Sequence, residues 1–259
     1  RSSRRVPPPV RARYDAAQST TENSNHWANA DALSARAANS PEIRRTLRNR
    51  ARYERDNNSY CSGMLETVAS HTIGTGPRLQ IRTNNAAFNR RVMSSFEEWT
   101  AAIGLAEKLR TFREARGVDG EGFLLITNNP RLRTPVQLDL TDVEADQIAT
   151  PGPTLPSKTA VDGIEFDRWG NPAYYHLLES HPGDLSSMSW GSFTRLPAEV
   201  VLHWFKRRRP GQARGVSELT PALPLYALLR RYGLATVSAA EIAALFAAML
   251  KSQLPPDDD

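Results

Sequence analysis

Residues 195–223 read RLPAEVVLHWFKRRRPGQARGVSELTPAL and predict three consecutive elements. Val200–Phe205 is an apolar run of strand length. Lys206–Gly215 ends it with four basic residues and a Pro210-Gly211 turn. A helix then opens near Ser217 or Pro221, tolerates Pro221 and Pro224 in its first turns, and runs to about Leu250. After Tyr232 its charges are Glu241 and Lys251. Ala239, Ala240, Ala243, Ala244, Ala247 and Ala248 form a stripe of small residues, flanked by Leu234, Leu245, Phe246, Met249 and Leu250. A helix so poor in charge needs protein on most sides. It is expected to project from its domain and, in a lone chain, to leave an apolar patch uncovered.

Toward the N-terminus the pattern changes from strands to helices. Gly122–Thr127 is a strand, and Val136, Leu138 and Leu140 alternate as another. Thr150–Thr159 reads as a Pro-rich loop. Ile164 and Phe166, a turn at Trp169-Gly170-Asn171-Pro172, and then Ala173, Tyr175 and Leu177 read as a hairpin. Asn85–Ile103 and Ala106–Val118 are helices, the first with Phe88, Val92, Phe96 and Trp99 on one face expected to be buried. Leu79–Arg82 is a short strand candidate. A helix starts at Ser40, with Ser40 as N-cap and Pro41 in the first position. It runs to Ser70, burying Ile43, Leu47 and Ala51, then Met64, Leu65 and Val68. The pattern predicts an α+β fold. It is helical at the N-terminal side, has a small mixed or antiparallel sheet, and ends in a long helix. Residues 1–39 are expected to be a basic, largely flexible arm with Trp27 as its one large anchor, 40–215 the α+β domain, and 216–259 the helix.

Composition narrows the function classes. The chain has 259 residues, 40% hydrophobic and 24% charged, with a net charge of +5, which suits a globular domain. The excess charge is local: residues 1–55 hold twelve Arg against five Asp and Glu. Of the 33 basic residues 29 are Arg, a bias that a GC-rich genome or phosphate binding would each produce. No stretch is apolar enough for a membrane span, and no signal peptide is visible. Cys61 is the single cysteine, so a cysteine metal cluster is excluded; it reads as a small buried residue.

Chemistry-bearing motifs are scarce. Gly74-Thr75-Gly76 lacks the rest of a phosphate loop and reads as a helix end, which requires positive φ at Gly74 or Gly76. The five histidines form no metal-ligand pattern, and His176 and His203 fall inside strands as hydrogen-bonded core residues. In DGIEFD, residues 162–167, Asp167 opens the turn with its side chain on the backbone ahead. No catalytic constellation and no cofactor site is predicted. The candidate contact residues are Lys206, Arg207, Arg208, Arg209 and Arg214, read either as a DNA, phosphate or subunit contact or as a solvated basic loop paired with an acidic neighbour.

Several segments are together similar to one family. These are Tyr14, Ala16-Ala17 and Trp27 in the arm, then RNRARYERDNNSYC at 48–61, IGTGPRLQ at 73–80, FEEW at 96–99 and GEGFLLI at 120–126. GIEFDRWGNPAYYHL at 163–177 follows. Last comes the block with His203, Arg209-Pro210-Gly211-Gln212 and Arg214-Gly215-Val216-Ser217 before a long helix. In this order they resemble the lambda family of tailed-phage portal proteins. The resemblance implies a structural subunit, not an enzyme, in a ring of typically twelve copies at a capsid vertex. Double-stranded DNA would pass through the ring, with terminase, capsid and head–tail connector proteins as partners and no membrane. It places the protein in the virion, and in the bacterial host cytoplasm before assembly. Residues 40–215 would be wing-like, and 216–250 would resemble the first stem helix. Members are roughly twice this length, so the chain is expected to be a fragment or a truncated prophage product. The competing readings are a standalone basic nucleic-acid-binding protein, a non-functional prophage remnant, and a nuclease or hydrolase.

Overall fold

A computed structural model describes residues 17, 20–151, 160–184 and 192–252, the last six by backbone alone. The expected disorder of residues 1–13, the Pro-rich loop at 152–159 and the exposure of Met249 lie outside the described residues.

The fold is α+β. Four helices come first: α1 Pro41–Asn57, α2 Ser59–Ile73, α3 Ala86–Ala102 and α4 Leu105–Val118. Seven strands follow: β1 Glu121–Asn128, β2 Leu138–Val143, β3 Ala160–Val161, β4 Ile164–Phe166, β5 Pro172–Leu178, β6 Phe193–Pro197 and β7 Val201–Phe205. Helix α5, Leu223–Ser252, ends the series. The strands form two antiparallel sheets, ordered β2-β1-β7 and β3-β4-β5-β6. A single 3₁₀ turn, Ala198–Val200, carries the chain from the second sheet into the first.

Strand alternation builds a layered body. From β1, Phe123 points into a core with Ile148, Ile164, Tyr175 and Val201, between the two sheets. Its neighbour Leu124 points the other way, to Ile103, Leu105 and Leu140, under α3 and α4. A third core, Ala51, Cys61, Leu65, Val118, Leu219 and Leu223, joins α1 and α2 to the start of α5.

The N-terminal helical region is two helices, not one reaching Ser70. Asn58 divides them: its backbone is extended, and its side chain accepts from the Tyr60 and Cys61 amides to cap α2. A side chain that satisfies the free amides of a new helix competes with continuing the old one. Ser40 caps α1 as expected. At the other end of α2, Gly74 and Gly76 have φ of 55° and 96°, which matches the helix-stop reading.

Several burial expectations need correction. Ile43, Met64 and Val68 are exposed, whereas Arg44 and Arg48 are buried, because α1 turns its arginine face inward. Phe88 is exposed and no α3 residue is fully buried. Val92, Phe96 and Trp99 are half-buried, and Trp99 donates its indole N–H to the Leu138 carbonyl at 2.7 Å. Trp27 is 48% exposed, packed against its own neighbour His26, and does not anchor the arm within the described residues. Residues 79–82 are not a strand, and β3 and β6 were not anticipated. The β3–β4 turn is Asp162-Gly163, both at positive φ, the two-residue hairpin that an Asp-Gly pair favours.

Helix α5 starts at Leu223, later than Ser217 or Pro221. Its first turns are fastened: Leu223 is in the helical core, Tyr226 packs beside it, and Arg230 pairs with Glu54 at 3.0 Å. From Ala227 to Phe246 every residue is exposed. At 1.5 Å per residue that is about 30 Å of helix without cover. Leu245 and Phe246, at 68% and 63% exposure, are the residues whose burial would have contradicted a projecting helix.

Candidate functional site

Two charge-bearing residues of the 203–217 block, His203 and Arg214, converge inside the molecule on Glu121. Its side chain is fully buried at the start of β1. One oxygen accepts from Arg214 Nη2 at 2.8 Å and Arg48 Nη2 at 3.2 Å. The other accepts from Arg214 Nε at 2.9 Å, the Gly215 amide at 2.8 Å and His203 Nε2 at 3.1 Å. Burial alone would push the Glu121 carboxyl up, but Arg214 and His203 overcome it and hold it well below the usual range.

Arg214 ties this centre to two further segments, at 145–148 and at Asp162. Its guanidinium donates to the carbonyls of Ala145 at 3.1 Å, Ile148 at 3.0 Å and Asp162. A fork of five donors suits one cation serving several acceptors. Around it, α1 supplies a row of arginines one turn apart. Arg44 pairs with Asp162, Arg48 with Asp146, and Arg52 with Asp119, Glu144 and Asp146. The spacing i, i+4, i+8 puts all three on one helix face.

Close backbone approach completes the centre. A Cβ on Gly215 would stand 2.1 Å from the Gly120 carbonyl oxygen, and one on Gly120, at φ 90°, 2.3 Å from the Val216 carbonyl carbon. Gln212 accepts from the Arg208 amide at 2.8 Å and donates to the Arg214 carbonyl at 2.8 Å. Gly211, at φ 77°, supplies the left-handed position of the Pro210-Gly211 turn. Ser217 donates to the Gly117 carbonyl at 3.1 Å.

The candidate contact residues therefore separate. Arg214, 1% exposed, is corrected: its charge is spent on Glu121 and buried carbonyls, so it offers nothing to a phosphate. Lys206, Arg207, Arg208 and Arg209 lie at the surface. Of these, Arg208 donates to the Ser217 carbonyl and Arg209 to the Leu33 carbonyl, both at 3.0 Å. Sequence reading missed Glu121, Arg44 and Arg48. The arginine spacing on α1 was a visible signal, but the sequence names no acid to receive it.

His203 is neutral by its surroundings. A carboxylate can only accept, so Nε2 carries the proton toward Glu121. Nδ1 then accepts from the Tyr175 hydroxyl at 3.3 Å, whose own titration burial pushes up to about 12. Burial lowers the imidazole below its ordinary 6.5 against the pull of Glu121. The unfolded chain therefore takes up this proton first as pH falls. Stability contributed by His203 is complete above about pH 6.5 and declines below it. Urea midpoints measured from pH 8 to 5 should fall on the acid side, and His203→Gln should flatten that limb; equal slopes in both proteins would refute the assignment.

Glu144, Asp146 and His181 bring three possible ligand atoms within 4.8 Å of one another. They suit a cation poorly. Arg48 and Arg52 already approach Asp146 at 2.7 and 3.0 Å. His181 Nδ1 accepts from the Gly183 amide at 3.0 Å, which leaves the proton on Nε2, the nitrogen facing the carboxylates. Elsewhere the turn at Asp167 forms as expected, the carboxylate accepting from the Trp169 and Asn171 amides, both at 2.8 Å. His176 meets Glu165 at 2.6 Å. Together with Arg195, it holds that carboxyl at about 2.

A family model described as phage portal protein, lambda family, matches residues 21–259. The chain belongs to this family. Portal proteins are structural components of the phage. In this portal chain His203, Arg214, Gly215 and Ser217 fasten the segment before α5 to Glu121 and to the end of α4. Among the described residues no helix is long and apolar enough to cross a membrane.

Proposed function

We propose that the chain is one subunit of a homo-oligomeric portal ring at a capsid vertex. Double-stranded DNA passes through its channel during terminase-driven packaging and head–tail joining, and the subunit catalyses nothing itself. Residues 40–215 act as the wing and 216–259 as the first part of the stem, in contact with neighbouring copies. Lys206, Arg207, Arg208 and Arg209 are the surface cations left for DNA or a neighbouring subunit. The carrying observation is the uncovered stretch of α5, with Leu228, Tyr232, Leu234, Leu245 and Phe246 all more than half exposed on a chain of portal ancestry. An apolar surface of this extent marks a contact with protein.

The test is sedimentation and electron microscopy of the full-length product. A closed ring is expected. Leu228→Glu with Leu245→Glu should shift it to small species without changing the far-UV spectrum, because both side chains face solvent in the lone subunit. A wild-type monomer that binds DNA with steep salt dependence would replace this reading with a free nucleic-acid-binding protein.

A further inference from the structure

The β4–β5 turn holds a tryptophan out in water. Trp169 is 70% exposed, yet its backbone is closely fixed. The Asp167 carboxylate accepts from the amides of Trp169 and Asn171 and, at 3.2 Å, from the Asn171 side chain. The Asp167 amide donates to the Asn171 carbonyl at 2.9 Å. Arg168 lies over the indole at 3.9 Å, and among the described residues it has no carboxylate partner. Among the described residues neither side chain has a hydrogen bond or ion pair elsewhere in the domain. A pre-ordered tryptophan covered by an arginine is the composition of an interface anchor.

A complementary feature sits across the molecule. Between the Gly74–Pro77 turn and the α3–α4 corner is an open cavity of about 330 Å³, lined among others by Gly76, Pro77, Ala101 and Leu105. Its walls mix apolar surface with Thr75 and Thr100, and Glu107 is part of the lining, exposed and without an ion pair among the described residues. Arg110, also in the lining, is engaged by the Gly74 carbonyl at 2.9 Å. The cavity belongs to the helices on the Leu124 face of the first sheet, whereas the Trp169 hairpin belongs to the sheet packed on the Phe123 face.

We propose that Trp169 of one subunit enters the α3–α4 cavity of the next, with Arg168 paired to its Glu107. The occupant is a second copy of this chain, and the proposal rests on the ring reading above. A ring joins unlike patches on two sides of each subunit. An anchor on one face of the body and a hole on the other satisfy that requirement, and Arg168 and Glu107 carry opposite charges, while Arg110 beside Glu107 is already held by the Gly74 carbonyl.

The experiment uses the full-length protein and two readouts. Arg168→Glu and Glu107→Arg should each weaken self-association about tenfold or more, as should Trp169→Ala, and the double charge exchange should restore it. Arg168→Cys with Glu107→Cys should give intermolecular disulfides in assembled material; Cys61 is buried and should not contribute. Rings that form normally with Trp169→Ala and show no cross-link overturn the contact and leave the ring reading standing. A monomeric wild-type chain overturns both. Loss of DNA retention by Trp169→Ala with unchanged assembly would assign the tip to nucleic acid and overturn the contact.

Discussion

Arg214→Ala is expected to leave little folded protein. The substitution removes the guanidinium that meets both oxygens of Glu121 and the carbonyls of Ala145, Ile148 and Asp162. Glu121 stays fully buried, now facing only Arg48, His203 and the Gly215 amide. Breaking a buried pair by deleting one partner costs about 3–5 kcal/mol, against a total stability of roughly 5–15 kcal/mol for a domain. The loss should exceed that of any exposed pair, such as Arg55–Glu114 or Arg195–Glu165, each worth about 1 kcal/mol or less. Arg214→Lys should rescue little, since a single ammonium cannot reach acceptors spread over three segments. Urea denaturation of the soluble fraction is the measurement. A wild-type midpoint in Arg214→Ala would mean that the centre contributes nothing to folding.

Gly215→Ala should be nearly as damaging for a different reason. Gly215 does not have the positive φ that disfavours alanine, so the backbone itself would accept the change. The obstacle is space. The added methyl would meet the Gly120 carbonyl oxygen at 2.1 Å, its carbon at 2.5 Å and the Glu121 Cβ at 2.7 Å. Two of those atoms are backbone and the third belongs to the buried centre, so no exposed side chain can give way. Relief requires separating the 214–217 segment from the start of β1, which also breaks the Gly215 amide bond to Glu121. Overpacking costs of about 1–3 kcal/mol are usual where side chains can repack; here about 3 kcal/mol or more is expected. Gly63→Ala is the comparison, since nothing lies within 4 Å of that position, and it should not destabilise. Equal melting behaviour of the two variants would refute the close crossing.

Much of the architecture is legible in local chemistry. Ser40 and Pro41 open a helix, Gly74 closes one, and the apolar run in GFLLIT makes β1 because a continuous apolar run of strand length suits a strand buried on both faces. The Asp167 turn follows from an aspartate that can bond the amides two and four residues ahead. Asp162-Gly163 carried an equally readable hairpin signal. The division at Asn58 was less legible, because asparagine within a helical pattern is tolerated until its side chain finds the amides of the next turn. The charge-poor character of α5 pointed to a helix needing outside cover, since such a surface is unfavourable in water wherever the helix is placed.

The centre of the molecule was decided differently. The burial of Arg44 and Arg48 is not legible in the sequence, because isolated charges avoid burial. Arg214 looked like the neighbouring exposed cations because it shares their composition. What separates them is Glu121, which lies 73 residues from Arg48 and 93 from Arg214. By itself the sequence determined the helices, strands and turns, the uncovered final helix and the family, all of which depend on short-range patterns or on their order along the chain. Only the tertiary structure decided which arginines are internal and where Trp169 and the α3–α4 cavity stand. A buried charge is stable only beside its partner, and the partner's position is a property of the folded chain.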